Sequence, residues 1–104
     1  MTRVSLGTLN DFESCAAQQV KLEGRTLTVV RIENDVYVLN DRCSHEDFSL
    51  SVGEVDCETR EIECARHGAM FSLVDGAPTS LPATKAVDTY VVHHVDGRLE
   101  VEIP

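Results

Sequence analysis

The sequence has little positive charge and no long apolar run. Of its 104 residues, 9 are Lys or Arg and 18 are Asp or Glu, which gives a formal net charge of −9. Phosphate backbones and anionic lipid surfaces repel such a chain, so we expect neither nucleic acid nor a membrane as a partner. Met1–Asp11 has neither the basic start nor the apolar stretch of a signal peptide, and no later stretch approaches a membrane span. We therefore expect a cytoplasmic protein.

The chain also lacks the length and the motif of a dinucleotide-dependent enzyme. Its 104 residues suit a single domain, residues 1–104, without room for separate cofactor and substrate domains. No linker, internal repeat or low-complexity segment divides the chain. A G-x-G-x-x-G fingerprint is absent, so we do not expect the chain to accept electrons directly from a nicotinamide cofactor.

Short runs of β-branched residues between turn signals predict an all-β fold. Thr26–Ile32 and Val36–Leu39 flank a polar turn and predict a β-hairpin. A second hairpin is predicted for Tyr90–Val95 and Leu99–Ile103, because Asp96-Gly97 between them suits a two-residue turn. Apolar and acidic residues alternate in the last strand, as in an antiparallel sheet with one buried face.

Two regions have weaker patterns. Leu6–Ala17 is predicted to form one helical turn or a short helix. In the turn-rich stretch Asp41–Ser80, only Glu61–Cys64 and Ala69–Val74 are strand candidates. Because long irregular stretches in compact domains are typically functional, the candidate site is expected at about residues 41–82.

This middle region contains two cysteine–histidine pairs, Cys43-x-His45 and Cys64-x-x-His67-Gly68, with eighteen residues between His45 and Cys64. Two ligands two positions apart on an extended chain diverge, which suits two neighbouring metal ions better than one. If the loops face each other, the thiolates of Cys43 and Cys64 hold one iron. The imidazoles of His45 and His67 then hold the other, as in a Rieske [2Fe–2S] centre. Zinc remains an alternative, although zinc fingers pair Cys with Cys and His with His.

The motif resembles the Rieske cluster-binding motif. Its surroundings, Glu46–Gly53, Phe71–Gly76 and Leu81-Pro82, are similar to the small Rieske ferredoxins of bacterial aromatic-ring dioxygenase systems, over about Leu27–Ile103. The resemblance implies stacked antiparallel sheets with a cluster-binding loop subdomain at one tip. It also implies that two loops hold the cluster and that a third, containing Pro82, shields it.

Four positions differ from the high-potential Rieske proteins that the motif also resembles. Phe48 and Arg66 stand where those proteins carry an additional pair of cysteines. Ala69 and Phe71 stand where they carry Ser and Tyr hydroxyls that donate hydrogen bonds to the cluster sulfurs. Such hydrogen bonds stabilise the reduced form, so their absence lowers the reduction potential. We expect a potential at the lower end of the Rieske range of about −150 to +300 mV.

The remaining cysteines and histidines are expected to have no ligand role. Cys15 and Cys57 lie outside the motif and are predicted to be small, buried, unreactive thiols. A disulfide framework is not expected, because the cytoplasm keeps thiols reduced. His93 and His94 are neighbours in a predicted strand, so their side chains point to opposite faces and do not bind one ion together.

The middle region is strongly acidic. Between Asp41 and Glu63, it carries eight acidic residues against Arg42 and Arg60: Asp41, Glu46, Asp47, Glu54, Asp56, Glu58, Glu61 and Glu63. One interpretation is an ordinary solvated face. The other is a negative surface that steers docking onto basic patches of redox partners.

These observations predict a soluble, monomeric electron carrier rather than an enzyme. Once His45 and His67 are cluster ligands, only His93 and His94 remain, and they cannot build an oxygen-activating 2-His-1-carboxylate iron site. We expect one [2Fe–2S] cluster that takes an electron from a flavin-dependent reductase and passes it to a terminal oxygenase in transient electrostatic complexes. Three alternatives stay open: an accessory protein in iron–sulfur assembly or redox sensing, a zinc-stabilised interaction module with no redox function, and a subunit or regulatory domain of a larger oxygenase or reductase.

Overall fold

The computed structural model describes residues 2–42, 49–64, 68–79 and 85–103. Within these ranges the chain forms ten β-strands and two 3₁₀ helices, Leu9–Asp11 and Leu50–Val52, and no α-helix. The strands are β1 (Thr2–Thr8), β2 (Ala16–Leu22), β3 (Arg25–Ile32), β4 (Asp35–Asn40), β5 (Val55–Asp56), β6 (Glu61–Glu63), β7 (Met70–Ser72), β8 (Thr89–Tyr90), β9 (Val92–Val95) and β10 (Arg98–Ile103). Neither helix is long enough to cross a membrane.

The strands form three antiparallel sheets. The outer sheet has the order β1-β10-β9, the central sheet β2-β3-β4-β8, and the small sheet β5-β6-β7. One hydrophobic cluster lies between the outer and central sheets, and a second lies between the central and small sheets. The predicted all-β fold of stacked antiparallel sheets is confirmed.

The central sheet is covered on both faces. Leu27 and Val29 of β3 pack in the cluster shared with the outer sheet. The intervening Val30, with Ile32, packs in the cluster shared with the small sheet. Because successive side chains of a strand point to opposite faces, burial on both sides explains the nearly continuous apolar run of β3.

Both predicted hairpins are present. β3 and β4 pair from Ile32 opposite Asp35 onward, and β9 and β10 pair around Asp96-Gly97. Asp96 and Gly97 have φ of 49° and 80°, the positive values that a tight two-residue hairpin turn requires. The strand candidates Glu61–Cys64 and Ala69–Val74 are confirmed as the shorter β6 and β7.

The expectation for Leu6–Ala17 is only partly right. One helical turn forms at Leu9–Asp11, but the ends of this segment belong to β1 and β2. β1 pairs with β10 at the opposite end of the chain, and β2 pairs with β3. Pairing with a distant strand leaves no signal in the local pattern, so tertiary structure overrides the helical tendency.

The expectation for Cys15 and Cys57 is wrong, because the two residues form a disulfide bond. Their Cα atoms lie 5.7 Å apart, although 42 positions separate them in sequence. Cys15 is exposed and precedes β2, whereas Cys57 is half-buried and follows β5. Local spacing gave no indication of this pairing, since it results from the packing of the small sheet on the central sheet.

Arg60 makes a second connection between the same two sheets. Its Nη1 donates hydrogen bonds to Asp35 Oδ2 (2.7 Å) and to the Tyr37 hydroxyl (2.6 Å), both on β4. The guanidinium also lies over the Tyr37 ring, 5.9 Å from its centroid. The disulfide and this contact supplement the apolar packing that holds the small sheet in place.

Candidate metal centre

Three predicted ligands fall on segments 43–48 and 65–67, which lie outside the described residues together with segment 80–84. Cys43, His45 and His67 therefore lie outside the described residues, as do Phe48, Arg66 and Pro82. Cys64 is described. The residues flanking the three segments are described too, and they define where the segments begin and end.

Hydrogen bonds close the first two segments at their ends. Across the first, the Ser51 backbone N–H donates to Asp41 Oδ1 at 2.7 Å. Across the second, the Cys64 N–H donates to the Ala69 carbonyl (2.7 Å), and the Gly68 N–H donates to the Cys64 carbonyl (2.9 Å). The residues that flank the second segment are therefore held close together at the end of the β6–β7 hairpin.

The third segment is closed in a similar way. The Val87 N–H donates to the Gly76 carbonyl at 2.8 Å, and the Thr79 N–H donates to the Met70 carbonyl of β7 at 2.8 Å. A Cβ at Gly76 would lie 1.9 Å from the Val87 carbonyl oxygen, so only glycine fits this approach.

The residues that flank the three segments also contact one another. The Asn40 N–H, before the first segment, donates to the Asp88 carbonyl after the third at 2.9 Å. Gly53, after the first segment, packs so tightly against Glu63 that a Cβ would lie 1.6 Å from its carbonyl oxygen. Glu63 immediately precedes Cys64. These contacts bring together the ends of the loops on which the sequence places all four ligands.

Cys64 is completely buried at the end of β6. It belongs to the cluster between the central and small sheets, together with Leu50, Ala69 and Phe71. A water-excluded site of this kind suits a thiolate that binds iron, and the donor set of two thiolates and two imidazoles suits a mixed-ligand [2Fe–2S] cluster. Ala69 and Phe71 are both fully buried, and neither carries a hydroxyl donor.

Gly68 adopts a φ of 73°, which residues with a Cβ rarely adopt. No atom in the described part of the chain lies within 4 Å of the position that a Cβ would occupy. Backbone conformation therefore favours glycine here, and steric crowding does not.

The acidic surface is present on the small sheet. Glu54, Asp56 and Glu58 are exposed, and Glu61 and Glu63 are half-buried. Hydrogen bonds from the Thr79 and Thr59 side chains lower the pKa of Glu61, so this carboxylate stays ionised at neutral pH. Glu46 and Asp47 lie outside the described residues.

Asp41 does not belong to this surface, contrary to the sequence-based prediction. It is only 7% exposed, and its carboxylate accepts hydrogen bonds from Gln19 Nε2 (2.5 Å), Thr28 Oγ1 (2.8 Å) and the Ser51 N–H (2.7 Å). Burial alone would raise the pKa of Asp41, but these hydrogen bonds outweigh burial and lower it. Its position directly after the apolar run of β4 is a sequence signal that could have indicated its burial.

His93 and His94 are strand residues, as predicted. His93 is half-buried on β9, with its Nε2 atom 3.1 Å from Glu102 Oε2 on β10. His94 is exposed and pairs in register with Leu99.

Comparisons with known proteins agree with this geometry. Residues 2–91 match the model of the Rieske [2Fe-2S] domain family. The 3-phenylpropionate/cinnamic acid dioxygenase ferredoxin subunit of Shigella flexneri serotype 5b (strain 8401) is 35% identical over 78 residues, which is 75% of this chain and 73% of the relative.

Solved structures are similar over nearly the whole chain. The ferredoxin of carbazole 1,9a-dioxygenase from Nocardioides aromaticivorans IC177 superposes with a TM-score of 0.92 at 32% identity, covering 97% of each chain. A ferredoxin in a complex of reduced oxygenase and oxidized ferredoxin of carbazole 1,9a-dioxygenase has a TM-score of 0.87 at 29% identity. That match covers 95% of this chain and 91% of the other. The chain therefore belongs to the Rieske [2Fe–2S] domain family and resembles the ferredoxin components of aromatic-ring dioxygenase systems.

Proposed function

We propose that the chain is a single domain, residues 1–104, that carries one electron on one [2Fe–2S] cluster. Cys43 and Cys64 are the proposed thiolate ligands of one iron. His45 and His67 are the proposed imidazole ligands of the other. The observation that carries this proposal is the fully buried Cys64, which lies at the start of the second segment, beside the ends of the other two segments.

The chain's own residues give this site its chemistry. When bound, the cluster supplies a site for one-electron oxidation and reduction. Leu50 and Phe71, both fully buried beside Cys64, exclude water from the thiolate side. Glu61 and Glu63 lie on β6, the strand that leads into Cys64, and their negative charge disfavours a further negative charge in this part of the molecule and so favours a low reduction potential.

The proposed partners are a flavin-dependent reductase as donor and a terminal oxygenase as acceptor. Support comes from the relative named as a dioxygenase ferredoxin subunit and from the carbazole system, whose ferredoxin forms a complex with its oxygenase. The chain is then a non-catalytic, monomeric carrier that binds its partners transiently. The acidic residues of β5 and β6 supply the charge that steers these encounters. The cytoplasmic location stays a prediction from the sequence.

The test of the cluster is an electron paramagnetic resonance spectrum of the purified protein before and after reduction, with iron, sulfide and zinc counted on the same sample. We expect a signal only after reduction, with the lowered average g of mixed His/Cys ligation and two irons per chain. Cys64→Ser and His67→Ala are expected to lose this signal, whereas the control His94→Ala keeps it. A protein that holds zinc and fails anaerobic reconstitution with iron and sulfide would overturn the proposal.

The test of the role is single-turnover reduction by a dioxygenase reductase, followed by oxidation by the matching oxygenase. We expect both steps at rates that support steady turnover. The alternative role in iron–sulfur assembly predicts something different, namely transfer of the cluster itself to an apo-protein. If the iron leaves this chain during incubation with an apo-acceptor while the reductase fails to reduce it, the carrier proposal is wrong.

A further inference from the structure

Asp41 lies at a place where one side chain contacts both ends of a ligand-bearing loop. It directly follows β4, and its backbone N–H donates to the Thr26 carbonyl at 3.1 Å. The loop it begins carries Cys43 and His45 and returns at the 3₁₀ helix Leu50–Val52. The Ser51 N–H in that helix donates to Asp41 Oδ1, which closes the loop across ten positions.

The same carboxylate is held by the central sheet. Thr28 Oγ1, completely buried on β3, donates to Oδ1, and Gln19 Nε2 on β2 donates to Oδ2. Asp41 thus connects β2 and β3 of the central sheet to both ends of the loop. Apolar packing of Leu50, which is fully buried, adds a second restraint on the returning end.

The burial of Asp41 has an energetic cost that its hydrogen bonds must offset. Removing an ionised carboxylate from water costs several kcal/mol unless hydrogen bonds replace the lost hydration. Within the part of the chain that the structure describes, Asp41 is the only buried charged residue. An apolar residue here would satisfy neither the Ser51 N–H nor the Thr28 hydroxyl.

We propose that Asp41 is a positioning residue for the metal centre, which sets the separation of the two ends of the 42–50 loop and thereby holds Cys43 and His45 in place. This inference rests on the proposed function, because it concerns the loop that supplies two of the four ligands. Asp41 does not itself contact the metal in this proposal. Its effect is transmitted through the backbone of the loop.

The test is the rate at which the cluster is lost to a chelator, measured by bleaching of its visible absorbance at a temperature where every variant is folded by far-ultraviolet circular dichroism. Without its anchor the loop opens more often, so Asp41→Ala should release iron at least about tenfold faster than the wild type. Asp41→Asn should restore nearly the wild-type rate, because the amide Oδ1 still accepts from Ser51 and Thr28. Thr28→Val, which keeps the side-chain shape and removes one donor, should give an intermediate rate.

The matched control is Asp11→Ala. Asp11 also accepts a backbone hydrogen bond, from the Thr8 N–H at 2.9 Å, but it lies on the 3₁₀ helix between β1 and β2. Its loss should lower the unfolding temperature without accelerating iron release below that temperature. A role confined to overall stability predicts the same behaviour for Asp41→Ala.

The outcomes separate this inference from the proposed function. If the wild type holds no cluster after reconstitution, the proposed function fails. If the wild type holds a cluster and Asp41→Ala releases it at the wild-type rate, only the inference is overturned. If Asp41→Ala does not fold, Thr28→Val decides, and an unchanged rate in that variant overturns the inference as well. An Asn variant that releases iron as fast as the Ala variant would also contradict the inference, because the remaining Oδ1 should restore slow release.

Discussion

The disulfide between Cys15 and Cys57 should contribute a large share of the stability of this small domain. It joins the start of β2 in the central sheet to the residue after β5 in the small sheet, across 42 positions of sequence. Without the disulfide bond, non-covalent packing alone must bring residues 15 and 57 together. The perturbation we consider is therefore the double substitution Cys15→Ala with Cys57→Ala.

The magnitude follows from the length of the closed loop. In the chain-entropy model, a crosslink that closes a loop of about 42 residues stabilises the folded state by about 4 kcal/mol at 25 °C. A domain of roughly this size loses about 4–8 °C of unfolding temperature for each kcal/mol. The double variant should therefore unfold about 15–30 °C below the oxidised wild type. Cys15 is exposed, so loss of its side chain adds little to this effect through packing.

Thermal unfolding at one fixed scan rate, followed by far-ultraviolet circular dichroism, measures the difference. Alkylation of the anaerobically denatured, iron-depleted chain gives an independent readout, because an intact disulfide leaves two of the four cysteines reactive. We expect Cys15→Ala and Cys57→Ala alone to lower the unfolding temperature almost as much as the double change. A thiol reductant should destabilise the wild type and leave the double variant unaffected.

An unfolding temperature within a few degrees of wild type in the double variant would refute this reasoning, provided that the wild type has two unreactive cysteines. Four reactive cysteines in the wild type would instead show that the thiols are reduced in the purified protein. The same result would be expected in a compartment that keeps thiols reduced. The small sheet would then rely on its apolar packing and on Arg60, which binds Asp35 and Tyr37.

Three further results are expected. Ala69→Ser should raise the reduction potential of the cluster, because the serine hydroxyl would stabilise the reduced form. The expected increase is up to about 60 mV, which corresponds to a tenfold change in a one-electron equilibrium. An unchanged midpoint in a potentiometric titration would contradict this. Gly53→Ala should destabilise the fold by more than about 3 kcal/mol in denaturant unfolding, because its Cβ would lie 1.6 Å from the Glu63 carbonyl oxygen. The control Gly24→Ala, with no atom within 4 Å of the new Cβ, should cost only about 1 kcal/mol, and equal losses would argue against the clash. Raising the salt concentration should slow reduction by the reductase in stopped-flow measurements, and a rate independent of salt would exclude steering by the acidic face.

Much of the fold was predictable because local patterns follow from burial on the faces of strands. The β3–β4 hairpin and the turn at Asp96-Gly97 were correctly predicted from β-branched runs and turn residues. β1 was missed, because its partner β10 lies at the far end of the chain. The two-residue strand β5 was missed because so short an element has no period to detect, and the predicted strand Tyr90–Val95 is divided at Val91, which leaves Tyr90 in β8.

The candidate site was predicted from residue types and spacing rather than from shape. The cysteine–histidine pairs defined a ligand set, and the family comparison confirmed the Rieske assignment that they suggested. Asp41 was misassigned to the acidic surface, because a sequence states that a residue is charged but not whether it is buried. The disulfide was missed for the same kind of reason, since 42 positions separate the two cysteines and nothing local indicates that they meet.

The sequence by itself determined the family, the proposed ligands and the all-β architecture, because these depend on residue identity and on short-range periodicity. Tertiary structure alone decided which residues far apart in sequence lie together. It paired Cys15 with Cys57, buried Asp41 beneath Gln19 and Thr28, and placed Gly53 against Glu63. The physical reason is that burial, hydrogen bonding and steric fit are properties of a packed neighbourhood, and the packing of three sheets assembles that neighbourhood from every part of the chain.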